Sequence, residues 1–134
     1  MVEENRIEAL HIQLQQWKSH LQFIEDETAF IERLLNSYVF EPRTPNLFER
    51  LETFKQRFRE SKKERERLKR AIIRHEGILG GIYECTSKIC DEGYYQKHCE
   101  LQERVQQYFE DYLKLKTEVY GYAGSILKRR KPTK

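Results

Sequence analysis

The chain has little that interrupts regular structure. Six glycines and three prolines in 134 residues are too few for the closely spaced turns of a β-sandwich or barrel. Three cysteines are an odd and sparse set, which argues against a disulfide-stapled secreted scaffold. No apolar run approaches the roughly 18 residues that a membrane span requires. The opening Met-Val-Glu-Glu lacks the charged-then-apolar pattern of a secretory leader, so a cytoplasmic protein is expected. Neither charge sign is missing: 25 Lys and Arg stand against 22 Asp and Glu, and 38% of residues are apolar and 12% aromatic. That mixture is too apolar and too balanced for a disordered chain. A single helix-rich domain is what the absences leave.

What is present is a nearly unbroken heptad. In the first segment the core series reads Ile7, Leu10, Leu14, Trp17, Leu21, Ile24, Thr28, Ile31, Leu35, Tyr38. Its alternating steps of three and four are the seam of a coiled-coil-like helix. Pro42 and Pro45 end it. Asn46 and Glu49 have capping-box spacing, and a second series follows: Leu47, Leu51, Phe54, Phe58, Ser61, Arg65, Leu68, Ile72, His75, Leu79, Ile82, Thr86, Ile89. Gly77, Gly80 and Gly81 each cost a helix about 1 kcal/mol. The phase nevertheless runs through them, so one helix to Cys90 with Gly93 in the turn is expected, and a break near Gly77 is the alternative. The third series is His98, Leu101, Val105, Tyr108, Tyr112, Leu115, Val119, Tyr122, Ile126. Short connections join antiparallel neighbours. The expectation is an all-α, elongated antiparallel up-down-up three-helix bundle. It occupies residues 1–127, with helices at about 3–39, 46–90 and 94–127 and a flexible basic tail at 128–134.

Charge is distributed by helix. Residues 1–45 carry 4 basic and 8 acidic side chains, 46–90 carry 12 and 7, and 91–127 carry 4 and 7. Opposite signs therefore meet at both interfaces of the middle helix. The basic run Lys55–Arg74, interrupted by Glu60, Glu64 and Glu66, reads as a solvated face neutralised by its acidic neighbours. In the core series Arg65 falls level with Glu118, its expected partner. The tail residues Lys128, Arg129, Arg130, Lys131 and Lys134 have no acid among them. They can touch phosphates, nucleic acid or an anionic surface, although a plain solubilising tail is the simpler reading.

Two kinds of site are suggested. Turns near residues 43 and 92 would bring His11 level with His75 and both near Glu110. Glu8 and His11 have the i, i+3 spacing of the carboxylate–histidine pairs of di-iron bundles. Glu8, His11, His75, Glu76 and Glu110 are thus a candidate ligand set for iron, manganese or zinc. A second Glu-x-x-His is missing, and a hydrogen-bonded His75 in an imperfect core is the structural reading. Cys85, Cys90, His98 and Cys99 are poorly spaced for zinc and read as free thiols. No nucleophile motif and no phosphate loop occurs, so no enzymatic activity is expected. The second kind of site is apolar surface beyond the seam: Phe23, Phe30 and Leu34 on the first helix, and Phe109, Leu113, Tyr120 and Leu127 on the third. These helices run parallel, with i level with about i + 99. Phe23 then faces Tyr120 and Phe30 faces Leu127 across one groove. Aromatic side chains lining a groove anchor a docked helix. The expected function is therefore that of a non-enzymatic adaptor, scaffold or assembly subunit. Its groove would take a partner helix or a second copy.

Overall fold

The computed structural model describes residues 2–37, 45–84 and 88–130. They form three helices, α1 (Val2–Leu35), α2 (Pro45–Glu84) and α3 (Lys88–Arg130), with no strand among the described residues. α2 packs against both α1 and α3, giving the antiparallel three-helix bundle that the heptads predict. No helix among the described residues is long and apolar enough to cross a membrane.

The ends of the helices differ from the expectation in ways with local causes. α1 contains neither glycine nor proline and stops at Leu35, short of residue 39. There the amide of Asn36 and its side-chain Nδ2 both donate to the Glu32 carbonyl (3.1 and 2.9 Å), and Ser37 Oγ donates to the Leu34 carbonyl at 2.8 Å. The last carbonyls are satisfied locally, as a helix end requires. Tyr38 lies outside the described residues. α2 begins at Pro45, whose missing N–H and fixed φ suit the first helical position. Asn46 therefore sits inside the first turn, and the capping box expected from Asn46 and Glu49 does not start the helix.

The larger correction concerns the second turn. α2 runs without a break through Gly77, Gly80 and Gly81 but ends at Glu84, and α3 begins at Lys88. Gly93, expected in the turn, lies inside α3, and no described glycine has positive φ. The heptad phase of α2 continues in sequence past its own end, so periodicity alone could not locate the break. Residues 85–87 lie outside the described residues. α3 extends to Arg130, so residues 128–130 are helical rather than part of a flexible tail.

Moving the turn shifts the register of α3 against α1. Gln13 meets His98 and Glu27 meets Tyr112, each pair 85 residues apart, where about 99 was expected. Phe23 is therefore level with Phe109 to Leu113, and Phe30 with the turn before Tyr120. The expected pairings of Phe23 with Tyr120 and Phe30 with Leu127 do not occur.

The heptad positions form the core. Leu14, Ile24, Ile31, Phe58, Leu68, Ile72, Val105, Val119 and Tyr122 are almost fully buried, each burial stabilising by about 1.5–3 kcal/mol. Thr28, Arg65, His75 and His98 are buried among them. The tyrosines of α3 direct their hydroxyls at neighbouring helices. Tyr94 donates to the His75 carbonyl (3.2 Å), Tyr122 donates to the Leu47 carbonyl (3.0 Å), and Tyr108 shares a hydrogen bond with Ser61 (3.1 Å).

Candidate functional site

A polar chain crosses the interior at one level. Gln13 Oε1 lies 2.6 Å from His98 Nε2, and His98 Nδ1 lies 3.0 Å from His75 Nε2. Burial favours the neutral form of both imidazoles. The Gln13 oxygen can only accept, so neutral His98 carries its proton on Nε2 and its Nδ1 accepts from His75 Nε2–H. Burial, the neighbouring His98 and Lys97 push His75 down to about 4, and burial lowers His98. Aromatic rings close the box: Tyr94 stacks on His75 with centroids 4.0 Å apart, and Trp17 stacks on His98 at 5.0 Å.

The five residues singled out for metal are not brought together. His75 meets His98, not His11. Glu76 accepts from Lys18 Nζ at 2.9 Å and from Gln15 Nε2 at 2.5 Å, one turn beyond His11. These two partners and the nearby His11 hold its carboxyl below the usual range. Glu8 and Glu110 are exposed, and Glu110 lies about 18 Å along α3 from the His98 level. The earlier second turn moved it away. No group of three or more His, Cys, Asp and Glu suited to a metal ion occurs among the described residues. Of the cysteines, Cys99 is an exposed free thiol. The side chains of Cys85 and Cys90 are outside the described set.

A second polar cluster ties α1 to α3 higher up. Glu27 accepts hydrogen bonds from Tyr112 and from Lys116 Nζ, the latter at 2.8 Å. Burial works to raise the Glu27 carboxyl, but Lys116 and Tyr112 outweigh it and hold the pKa down. Burial and Glu27 together raise the Tyr112 hydroxyl. One turn below, His20 stacks on Phe109 at 3.9 Å. Half-buried Glu27, Phe109 and Lys116 thus form the floor of the α1–α3 seam, with exposed His20 lying over Phe109.

The apolar residues flank that floor. Phe23 (57% exposed), Phe30 (50%), Leu113 (61%) and Tyr120 (44%) lie one helical position outside it, two on each helix. With the observed register they alternate along the seam from Phe23 through Leu113 and Phe30 to Tyr120. Leu34 and Phe109 are half-buried and packed on the core, so they belong to the floor. The side chains of Leu127, Lys128, Arg129 and Arg130 are outside the described set, as are residues Lys131 and Lys134. The other exposed large apolar residues, Ile12, Phe48, Ile73 and Ile78, stand apart from this strip. On the strip itself the charged groups are Glu27 and Lys116, which neutralise each other.

The expected pairing of Arg65 with Glu118 is also corrected. Glu118 pairs with Arg57 at 2.5 Å, because the shifted turn moves Glu118 toward the start of α2. Arg65 is buried, and its Nη1 has no hydrogen-bond partner among the described residues. Nor do the acidic flanks neutralise Lys55–Arg74 as expected. Arg57 is the cation of that run that pairs with another helix among the described residues. The other α2 contacts across interfaces use its carboxylates, with Glu64 to Arg104 (3.5 Å) and Glu76 to Lys18 (2.9 Å). Comparison with protein-family models, with curated proteins and with solved structures finds no match to this chain.

Proposed function

We propose that the protein is a non-enzymatic assembly subunit that docks a second copy of itself through the outer face of α1 and α3. The observation that carries this reading is the strip of Phe23, Leu113, Phe30 and Tyr120, exposed and free of net charge on a chain with 35% charged residues. Large aromatic groups left wet along one seam favour association. Exposed Cys99 as a free thiol suits a reducing compartment, and the protein is read as cytoplasmic.

Rim charges favour a second copy as the occupant. Asp26 and Arg33 lie one heptad apart on α1 at the edge of the strip. Asp26 accepts a hydrogen bond from Gln22, and neither residue has an ion-pair partner among the described residues. Two copies laid face to face and antiparallel, α1 on α1, bring Asp26 of each beside Arg33 of the other. A two-fold interface of this kind uses one self-complementary patch. A parallel two-fold arrangement instead brings Asp26 near Glu110 of the other copy, like charge against like.

Sedimentation equilibrium tests the reading. The expected result is a dimer that Phe23→Glu/Tyr120→Glu converts to a folded monomer. Asp26→Arg and Arg33→Asp should each raise the dissociation constant about ten-fold, and the double exchange should restore it. A wild-type monomer, or a dimer indifferent to these changes, refutes it.

A further inference from the structure

We propose that the outer face of α2 binds the phosphate backbone of duplex nucleic acid without regard to base sequence. The face points away from the α1–α3 strip, so this inference is independent of self-association.

Between residues 55 and 74 the chain has ten Lys and Arg against three Glu. Few of those cations are engaged. Arg57 pairs with Glu118, Lys55 with Glu52, and Arg67 with Glu64, a carboxylate that Arg104 of α3 also uses. Arg59 donates to the Gln56 side-chain Oε1. Lys62, Lys63, Lys69, Arg70 and Arg74 are exposed and make no ion pair among the described residues. Lys62 and Lys63 recur one heptad later as Lys69 and Arg70, so the four lie in one stripe. From Lys62 to Arg74 the stripe rises about 18 Å, which spans about five nucleotides of one strand of B-form duplex.

A buried cation lies below the exposed ones. Arg65 sits beneath the stripe with Nη1 unpartnered and lines an open recess of about 270 Å³ together with Glu25, Glu66, Lys69 and Arg70. Glu25 and Glu66 in that recess offset part of its charge, so the field of the face rests on the exposed Lys62, Lys63, Lys69 and Arg70.

The chemistry of the face selects the partner. Adsorption on a membrane uses aromatic or aliphatic side chains beside the cations, and from Arg59 to Arg74 the exposed large apolar residue is Ile73. Base stacking on single strands needs exposed aromatic rings, and this stretch contains none. Cations on a rigid helix suffice for phosphates alone, and the guanidinium fork suits phosphate oxygens. Such contacts position a protein on a duplex without reading bases.

The test uses the full chain and a fluorescent duplex of about 20 base pairs, followed by anisotropy at about 50 and 200 mM salt. Binding should be micromolar or tighter at the lower salt, equal for unrelated sequences, and weaker by ten-fold or more at the higher salt. Lys62→Gln/Lys63→Gln/Lys69→Gln/Arg70→Gln, all at exposed positions, should remain folded by circular dichroism, weaken binding at least ten-fold and flatten the salt dependence. Removing residues 131–134 should leave binding within about three-fold. Absence of binding at low salt overturns the proposal. So does a quadruple variant that binds like the wild type, or binding lost with the last four residues. Preference for vesicles of phosphatidylserine and phosphatidylcholine over the duplex also overturns it, in favour of a membrane surface.

Discussion

Protonating His98 removes a hydrogen bond as well as burying a charge, because its Nδ1 is the acceptor for His75. Both imidazoles titrate below the ordinary histidine value near 6.5, His75 at about 4. Between those values the unfolded chain binds more protons than the folded one. Stability is therefore full above about pH 6.5 and is lost as pH falls, for His75 by up to about 1.4 kcal/mol per pH unit down to about 4, with His98 adding to the loss in the same direction. The melting temperature should drop between pH 7 and pH 5, and the drop should shrink in His75→Met/His98→Met. An unchanged slope in that variant refutes the assignment. Trp17 stacked on His98 supplies a second readout: its emission should fall with acid before helicity does, since a charged imidazolium quenches an indole more strongly. At the same scale, Arg65 buries a charge with no ion pair among the described residues and with Nη1 unpartnered. Arg65→Met should raise stability by about 1–3 kcal/mol, read as a melting temperature higher by several degrees. A decrease shows that the charge is compensated. His75 and Arg65 were legible as polar members of the core series, but their true partners were not, since partners depend on register. His98 was legible as a core position. Its bond to His75 was not, because that bond depends on where the chain turns between α2 and α3.

The glycines carry the same lesson at the level of the helix. Gly77 and Gly93 are helical, and a Cβ at either meets no atom within 4 Å. Replacing each with Ala should therefore stabilise by about 0.5–1 kcal/mol, measured by urea denaturation. Had Gly93 occupied the expected turn with a left-handed backbone, the same change would destabilise. The number of helices, their order and almost every buried position on them could be read from the heptad. Their ends could not. Residues at heptad spacing, Ile82, Thr86 and Ile89, continue across the junction in sequence, and the strongest turn residue nearby, Gly93, lies inside the next helix. Ser87, directly before the first residue of α3, is a residue type favoured at helix N-caps and was the available signal. One displaced turn then accounts for the wrong partners of Phe23, Phe30 and Arg65 together, because the relative height of α3 enters each of them.

For the molecule as a whole, the seam aromatics were legible as a surface feature and their pairing was not. The residues involved were visible from their positions beside the core stripe, whereas the order in which they alternate requires the three-dimensional register. Charge was misjudged for a different reason. Net charges of −4, +5 and −3 on successive segments suggested mutual neutralisation, yet side chains pair locally, and the positions of α2 that face its neighbours hold carboxylates as well as cations. Most of the excess positive charge therefore points outward. The protein has two contrasting sides, one apolar and nearly neutral, the other polar and basic. Helices of 34, 40 and 43 residues at about 1.5 Å per residue make these sides the long faces of a rod some 50–65 Å in length. A rod of 16.4 kDa tumbles and diffuses more slowly than a sphere of equal mass. A single chain will thus leave a sizing column early, at the volume of a larger globular protein, and its elution alone would pass for that of a dimer.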